Sequence, residues 1–318
     1  MMILFILSVS LFIIVEKSLA YDSNYVLTTA QRYVELCGAA YCTDPKLRKN
    51  CVDDWSCKIS SKFPNMTATS FHSSLYDGNG FVGYDGDANE VIVSFSGTNP
   101  LSIRDWIDDL DFIKTSYPYC EGCNVHQGFY NTYLSLNTDV KNLVTSYQSQ
   151  HPSATLAITG HSLGAALAAH CAAEYTHMGQ IISTVYSYGM PRVGDDAFEN
   201  WYKNTLIGTF RVVHHKDPVP HLPTESMGFH HMPYEVNIRN ICILLILHVL
   251  SPNYVYFAHS MCINCEIFYT KDYNDWKLCS FEGEDSSCSD QYSVDLDVAN
   301  HLNYLDFDFT TNYLSCGL

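Results

Sequence analysis

The chain has 318 residues, enough for one large domain or two small ones. Hydrophobic residues make up 47% and charged residues 16%, which supplies a core and excludes wholesale disorder. Because 34 Asp and Glu outnumber 17 Lys and Arg, the net charge of -17 repels phosphate backbones, and we expect no nucleic-acid partner. Thirteen cysteines indicate an oxidising compartment.

The N-terminal residues predict secretion. Met1–Val15 is an apolar run, and the small residues Ser18 and Ala20 fit a signal-peptidase site after Ala20. The alternative, a membrane anchor, would need roughly 20 apolar residues to span the bilayer. We therefore predict a signal peptide over residues 1–20 and an extracellular protein. The sequon beginning at Asn65 is predicted to be glycosylated if it is exposed.

Predicted strands and helices alternate along the chain. The predicted helices are Tyr25–Ala40, His126–Lys141 and Ser162–Tyr175. The predicted strands are Val82–Tyr84, Val91–Phe95, Thr155–Thr159, Thr184–Tyr188 and Thr209–His214. This alternation is typical of an α/β fold with a mostly parallel sheet. No linker divides the chain, so we predict one domain over residues 21–318.

Four cysteines follow the first predicted helix closely: Cys37, Cys42, Cys51 and Cys57. They predict a segment that is stapled by disulfides. A zinc site is the alternative, but no C-x-x-C pair with histidine partners occurs here, and secretion favours disulfides. We therefore expect no metal.

Val236–Glu266 is far more apolar than its surroundings. Its most aliphatic stretch, Ile241–Leu250, is too short to span a bilayer. Our hypothesis is a retained intron in the gene sequence, with a genuine hydrophobic insertion that binds membrane or a partner as the alternative. In either case we treat residues 236–266 as an insertion in the domain.

Gly160-His161-Ser162-Leu163-Gly164 is a G-x-S-x-G motif between a predicted strand and a predicted helix. That context is typical of a nucleophile elbow, in which Ser162 occupies a strained turn. The glycines have a steric reason, because side chains at their positions would collide with neighbouring backbone. The following helix has mostly small residues, and its N-terminus directs partial positive charge at a developing oxyanion.

The segment GHSLGAALA resembles the elbow of the class 3, or fungal-type, triacylglycerol lipases. Other segments agree with that family in the same order: Phe95–Thr98, Leu101–Phe112, Val125–Tyr133, Val212–Pro223 and His301–Tyr304. The resemblance covers roughly residues 25–315. It implies an α/β-hydrolase fold with a short helical lid, and we expect a secreted, animal- or nematode-like member.

A serine nucleophile needs a base, and the base needs an acid to hold it. Asp217 follows a predicted strand and precedes Pro218, so on its own it could be a simple turn residue. The resemblance implies instead that Asp217 is the acid. It also implies that His301, one of fourteen histidines, is the base, and that His161 points away from the nucleophile.

The resemblance implies an oxyanion hole that uses the backbone N–H groups of Thr98 and Leu163. In the family the residue at the Thr98 position also donates its hydroxyl. On the residues alone, Thr98 could equally be an ordinary residue at the end of a strand.

An apolar stripe with helical spacing follows Thr98: Ile103, Trp106, Ile107 and Leu110. Charged residues occupy the opposite face, so the segment is predicted to form a short amphipathic helix. Such a stripe usually packs in a core, but the resemblance implies a mobile lid. The acidic polar face favours neutral over anionic lipid interfaces.

The sequence therefore predicts a secreted serine hydrolase that cleaves acylglycerol esters at an oil–water or membrane interface. We expect no cofactor and no obligate protein partner. A phospholipase A1 or another carboxylesterase of the same fold is one alternative. A catalytically silent lipid-binding protein is another, and the complete set of predicted catalytic residues argues against it.

Overall fold

The computed structural model describes residues 25–47, 49–205, 209–232, 235–237, 268–269, 277–279, 283–291 and 296–316. The predicted signal peptide and residues 238–266 of the predicted insertion lie outside these residues. Val236 and Asn237, the first two residues of the insertion, belong to a strand. Within the described part of the chain, no helix is both long and apolar enough to cross a membrane.

The main sheet is mostly parallel and has an antiparallel end. Its strands are β1 Met66–Ser73, β2 Gly78–Asp85, β3 Glu90–Phe95, β6 Thr155–His161, β7 Thr184–Tyr188, β8 Thr209–His214, β9 Glu235–Asn237, β10 Phe268–Tyr269 and β11 Lys277–Leu278. The order is β1-β2-β3-β6-β7-β8-β9-β11, with β10 paired to β8. Strands β3, β6, β7, β8 and β9 run parallel, whereas β1, β2 and β11 pair antiparallel.

Two short antiparallel pairs lie outside the main sheet. Their strands are β4 Lys114–Ser116 with β5 Asn124–His126, and β12 Asn303–Tyr304 with β13 Phe307–Asp308. The helices are α1 Leu27–Tyr41, α2 Ile103–Asp108, α3 Gln127–Gln150, α4 Leu163–His177, α5 Asp196–Thr205, α6 Val298–His301 and α7 Phe309–Ser315. Strand β1 was not predicted, and α3 extends nine residues beyond the predicted end.

Helices cover both faces of the sheet because the central strands are apolar on both faces. Strand β3 is buried at every position, and β6 at every position after its first. Ala157 and Tyr186 pack with α1 and α7 on one face, while Ile158 and Val185 pack with α3 and α4 on the other. The alternation follows from the two-residue period of a strand.

The described disulfides correct the prediction of a local staple. Cys51 pairs with Cys57 within the predicted segment, but Cys42 pairs with Cys316, 274 residues away. Cys37 is buried and lies in no disulfide, with its thiol against the Thr159 hydroxyl. A helical spacing that turns Cys37 into the core explains the difference. The Cys42–Cys316 bond joins the end of α1 to the end of α7.

Candidate active site

The elbow has the geometry that its sequence predicts. Ser162 lies between β6 and α4 with φ 59° and ψ -130°, a conformation that non-glycine residues rarely adopt. A Cβ on Gly160 would lie 2.1 Å from the carbonyl oxygen of Gly164, and a Cβ on Gly164 would lie 2.3 Å from that of Phe95. The two glycines therefore let α4 approach the strands closely enough to hold the turn.

The predicted acid and base are directly paired. His301 Nδ1 lies 2.8 Å and 3.0 Å from the two carboxylate oxygens of Asp217, and both side chains are fully buried. The carboxylate also accepts hydrogen bonds from the Tyr304 hydroxyl and from the backbone N–H of Val219. These contacts orient the ring so that Nε2 is the free basic atom.

Backbone packs tightly around this pair. Gly189 has φ +56°, and a Cβ there would lie 2.8 Å from an oxygen of Asp217 and 2.9 Å from His301 Nδ1. His301 is the last residue of the short helix α6. Asp297 caps this helix by accepting a hydrogen bond from the N–H of Ala299.

Ser162 and His301 do not yet share a hydrogen bond. Among the described residues, neither Ser162 Oγ nor His301 Nε2 has a hydrogen-bond partner, although both atoms are buried. Catalytic hydrogen bonds are often formed only when the substrate is bound. The acid and the base are thus already paired, whereas the hydrogen bond between Ser162 and His301 has still to form.

His161, which was predicted to point away from the nucleophile, contacts the base. Its Nε2 lies 2.7 Å from the backbone carbonyl oxygen of His301, and its Nδ1 lies 2.6 Å from the Tyr41 hydroxyl. Burial, together with the charge of His301, holds the pKa of His161 well below its usual value. The ring is therefore neutral, with Nε2–H donating to the carbonyl. No local pattern in the sequence predicts these contacts.

The predicted oxyanion residues line a cavity of about 400 Å³. Thr98 lies just after the end of β3, and Leu163 is the first residue of α4. Ser162 does not line the cavity, because its side chain is completely buried. It is separated from the cavity only by its neighbours, since Gly97 lines the cavity and a Cβ there would lie 2.8 Å from the Ser162 Cβ.

The predicted lid forms an amphipathic helix, α2, that is shorter than predicted. Ile103 is buried and Trp106 and Ile107 are half-buried, while the charged residues of the helix, Arg104, Asp105 and Asp108, are exposed. Leu110, also half-buried, lies beyond the end of α2 because the helix stops at Asp108. A separate 3₁₀ turn over Pro100–Ser102 precedes the helix.

The segment covers one side of the cavity. Trp106 and Leu110 contribute apolar surface to the lining, together with Phe129 of α3. The apolar side of the predicted lid segment therefore forms part of the cavity wall, next to the residues that surround the buried Ser162.

The rest of the cavity wall is polar and acidic. Four aspartates, Asp44, Asp77, Asp109 and Asp111, line it alongside one lysine, Lys46. Lys46 forms an ion pair with Asp77 at 2.5 Å. The remaining carboxylates would repel an anionic head group.

Three other histidines, His214, His230 and His231, have structural contacts. His214 Nδ1 lies 2.9 Å from the carbonyl oxygen of Asn300, and His231 Nε2 lies 2.6 Å from that of Pro220. His230 bridges to Gly194 through its backbone. Asn65, the predicted glycosylation site, is exposed.

Comparison with known proteins relates this chain to lipases. Residues 92–227 match the family model described as Lipase (class 3). A lipase of Rhizomucor miehei is 31% identical over 79% of this chain and 61% of its own length. The resemblance to the class 3 lipases is confirmed. A secreted mono- and diacylglycerol lipase A of Penicillium camembertii is 33% identical over 51% of this chain and 52% of its own length.

Solved structures agree with the predicted fold. Lipase II of Rhizopus niveus is 27% identical, with a TM-score of 0.72 over 89% of this chain and 95% of its own. A triacylglycerol lipase whose catalytic centre is described as a serine protease triad gives the same identity and TM-score, over 90% and 96%. The α/β-hydrolase fold is thus confirmed. The chain spans between about half and 61% of the length of the two relatives aligned by sequence.

Proposed function

We propose that this chain is a secreted serine hydrolase of the class 3 lipase type that cleaves carboxylic esters of acylglycerols. The observation that carries the proposal is the buried Asp217–His301 pair, which leaves His301 Nε2 without a partner among the described residues, in a chain that also holds Ser162 on a strained elbow. A carboxylate that orients a neutral imidazole is the arrangement that activates a serine hydroxyl.

The reaction proceeds through an acyl-enzyme. Nε2 of His301 takes the proton of Ser162 Oγ as the oxygen attacks the ester carbonyl, and the N–H groups of Thr98 and Leu163 receive the oxyanion. The leaving alcohol takes the proton from His301 when the ester bond breaks. His301 then removes a proton from water, and the resulting attack on the acyl-serine releases a fatty acid and restores Ser162. These steps require no cofactor.

The lid must move before this reaction can begin. Ser162 is completely buried, so a lipid ester cannot reach its oxygen while α2 covers the cavity. The apolar side of the segment would gain lipid contact on opening, which compensates for its exposure. A related fungal lipase–inhibitor complex, 26% identical to this chain, has provided a model for interfacial activation in lipases. We propose the same response for this chain at an oil–water or membrane interface.

The preferred substrates are uncharged acylglycerols. The four aspartates of the cavity wall, with one lysine among them, disfavour phospholipids that carry a net negative charge. The Penicillium camembertii relative is described as a mono- and diacylglycerol lipase, which supports the same class. The named relatives are fungal, and they give no support to the expected animal- or nematode-like origin.

We further propose an extracellular location and one domain over residues 21–318, after removal of residues 1–20. The Cys42–Cys316 and Cys51–Cys57 disulfides and the exposed Asn65 sequon support an oxidising, secretory route. We also propose that residues 236–266 derive from a retained intron. A peptide from Ile241–Met261 in the mass spectrum of the secreted protein would overturn that part.

The decisive test is an ester panel on the protein made with and without residues 236–266. We expect hydrolysis of emulsified short-chain triacylglycerol and diacylglycerol, weaker hydrolysis of phosphatidylcholine, and none of phosphatidylglycerol. A fluorophosphonate probe should label Ser162, and Ser162→Ala should abolish the labelling. Labelling without turnover of any glyceride would favour another carboxylesterase. An unlabelled, folded protein that still binds lipid would favour the silent lipid-binding alternative.

A further inference from the structure

A chain of contacts connects the end of β3 with the backbone of the base. The Tyr41 hydroxyl lies 2.6 Å from His161 Nδ1, and His161 Nε2 lies 2.7 Å from the carbonyl oxygen of His301. The Tyr41 hydroxyl also packs against the backbone of Gly97, where an added Cβ would lie 2.3 Å from the phenol oxygen. Gly97 immediately precedes the oxyanion residue Thr98.

The donor and the acceptor of each hydrogen bond can be assigned in only one way. The carbonyl of His301 can only accept, so His161 Nε2 carries the proton. The neutral ring then leaves Nδ1 as an acceptor, and Tyr41 must donate to it. The His301 carbonyl thus determines the tautomer of His161, and the Tyr41 hydroxyl supplies the donor for the remaining ring nitrogen.

Packing holds the His161 ring firmly in this orientation. Phe309 of α7 stacks on it with centroids 3.8 Å apart and planes 13° from parallel. The His301 ring lies on it at 4.6 Å, and the ring is completely buried. Burial also keeps the ring neutral beside His301, even when His301 carries the extra proton during catalysis.

We propose that Tyr41 and His161 are positioning residues that hold the base and the oxyanion strand end in one register with the nucleophile. His161 directly precedes Ser162 in the chain. Tyr41 and His161 therefore link the elbow to His301 on one side and to Gly97 on the other. Neither residue exchanges a proton with substrate. The inference rests on the proposed hydrolase activity and adds two residues to it.

Removing the Tyr41 hydroxyl should loosen the His161 ring. In Tyr41→Phe, Nδ1 of His161 loses its hydrogen-bond donor in a dry environment, while Nε2–H stays bonded to the His301 carbonyl. The ring is then held by a hydrogen bond on one side only, and the base that it supports can shift. A displacement of the base reduces turnover without changing how the substrate binds.

The test compares Tyr41→Phe with Tyr33→Phe. Tyr33 lies on the same helix, is equally buried, and also loses one hydrogen bond, to Glu90. On a dissolved ester we expect kcat to fall about tenfold in Tyr41→Phe with KM unchanged, and neither to change in Tyr33→Phe. His161→Gln, which can keep an N–H toward His301, should retain more kcat than His161→Leu. Thermal unfolding of all four variants checks that each one folds.

Nitrogen-15 spectra of His161 give a readout that does not depend on activity. The wild type and Tyr41→Phe should both show the Nε2–H tautomer, and the Nδ1 resonance should move downfield in Tyr41→Phe because Nδ1 has lost its hydrogen-bond donor. Equal losses of kcat in the two tyrosine variants, or an Nδ1 resonance that does not move in Tyr41→Phe, would overturn the inference. A wild-type protein that neither hydrolyses esters nor labels at Ser162 would instead defeat the proposed function, whatever the tautomer.

Discussion

The indole of Trp106 lies over the ring of Phe129, with the centroids 6.3 Å apart and the planes 22° from parallel. Trp106 belongs to α2 and Phe129 to the first turn of α3, and both side chains line the cavity. Phe129 also stacks on His126, at 3.8 Å. The predicted lid segment therefore packs on α3 through an aromatic contact, one that a lipid surface could replace.

This contact predicts a response to an oil surface. We expect the specific activity of the wild type to rise sharply when tributyrin passes its solubility limit, because lipid takes the place of Phe129 as the partner of Trp106. Burying a tryptophan-sized side chain contributes a few kcal/mol, which is enough to shift a balanced equilibrium. Trp106→Ser should flatten the rise and leave the hydrolysis of a dissolved ester mostly intact. Titration of tributyrin through the limit measures both.

Asp108→Ser is the matched control for the lid, because Asp108 lies on the exposed side of the same helix. This variant should keep the rise in activity. Hyperbolic kinetics straight through the limit in the wild type would contradict a functional lid and favour an esterase that acts on soluble substrates.

The three proposed catalytic residues should behave as one unit. Ser162→Ala, Asp217→Ala and His301→Ala should each lower kcat by several orders of magnitude, and the double variants should be little worse than the single ones. Steady-state kinetics on a dissolved ester provide the comparison. His177→Ala, an exposed site at the end of α4, serves as the control. Near-normal turnover in His301→Ala would reassign the base to His215 or His230.

Loss of the Thr98 hydroxyl should have a smaller effect than loss of a complete donor. Thr98→Ala keeps the backbone N–H, so we expect kcat to fall about 10- to 100-fold, against roughly 10²–10³ for a whole donor. Thr98→Ser, which keeps the hydroxyl, should recover most of the loss. If kcat is unchanged in Thr98→Ala, the hydroxyl does not face the oxyanion.

His170 predicts a pH dependence of stability. Burial, with a smaller contribution from the charge of His126, lowers the pKa of His170 to about 3. Aromatic rings surround it, and within the described residues neither ring nitrogen has a hydrogen-bond partner. The histidine of an unfolded chain has a pKa near 6.5. Below that pH the unfolded chain therefore binds a proton at His170, whereas the folded protein does not. The free energy of unfolding should therefore fall between about pH 6.5 and pH 3.

Replacing His170 removes this term. His170→Leu should show a shallower acid slope than the wild type, by up to about 1.4 kcal/mol per pH unit within that window. Above pH 6.5 His170 is neutral in both the folded and the unfolded state. The plots of unfolding free energy against pH for the wild type and His170→Leu should therefore run parallel there. Urea unfolding at a series of pH values gives the slopes. Identical slopes throughout would mean that folded His170 takes up a proton normally.

Local patterns in the sequence determined the central strands and the elbow. Strands β7 and β8 have the predicted limits, and the elbow glycines have the predicted steric role, because a run of apolar residues and a tight turn are short-range features. The apolar stripe of the predicted lid could also be predicted from the sequence, because the burial of α2 follows the three- and four-residue spacing of its apolar residues. Strand β1 was missed because its exposed and buried residues alternate on a polar background.

The tertiary structure alone decided which distant residues meet. The sequence separates Asp217 from His301 by 84 positions and Tyr41 from His161 by 120, and only packing brings each pair within 3 Å. The same holds for Cys42 and Cys316, 274 positions apart. Such contacts have no local pattern, because they depend on where strand ends and helix ends converge in a folded core. A buried histidine looks the same in the sequence whether it is the base, as proposed for His301, or the residue that holds the base in place.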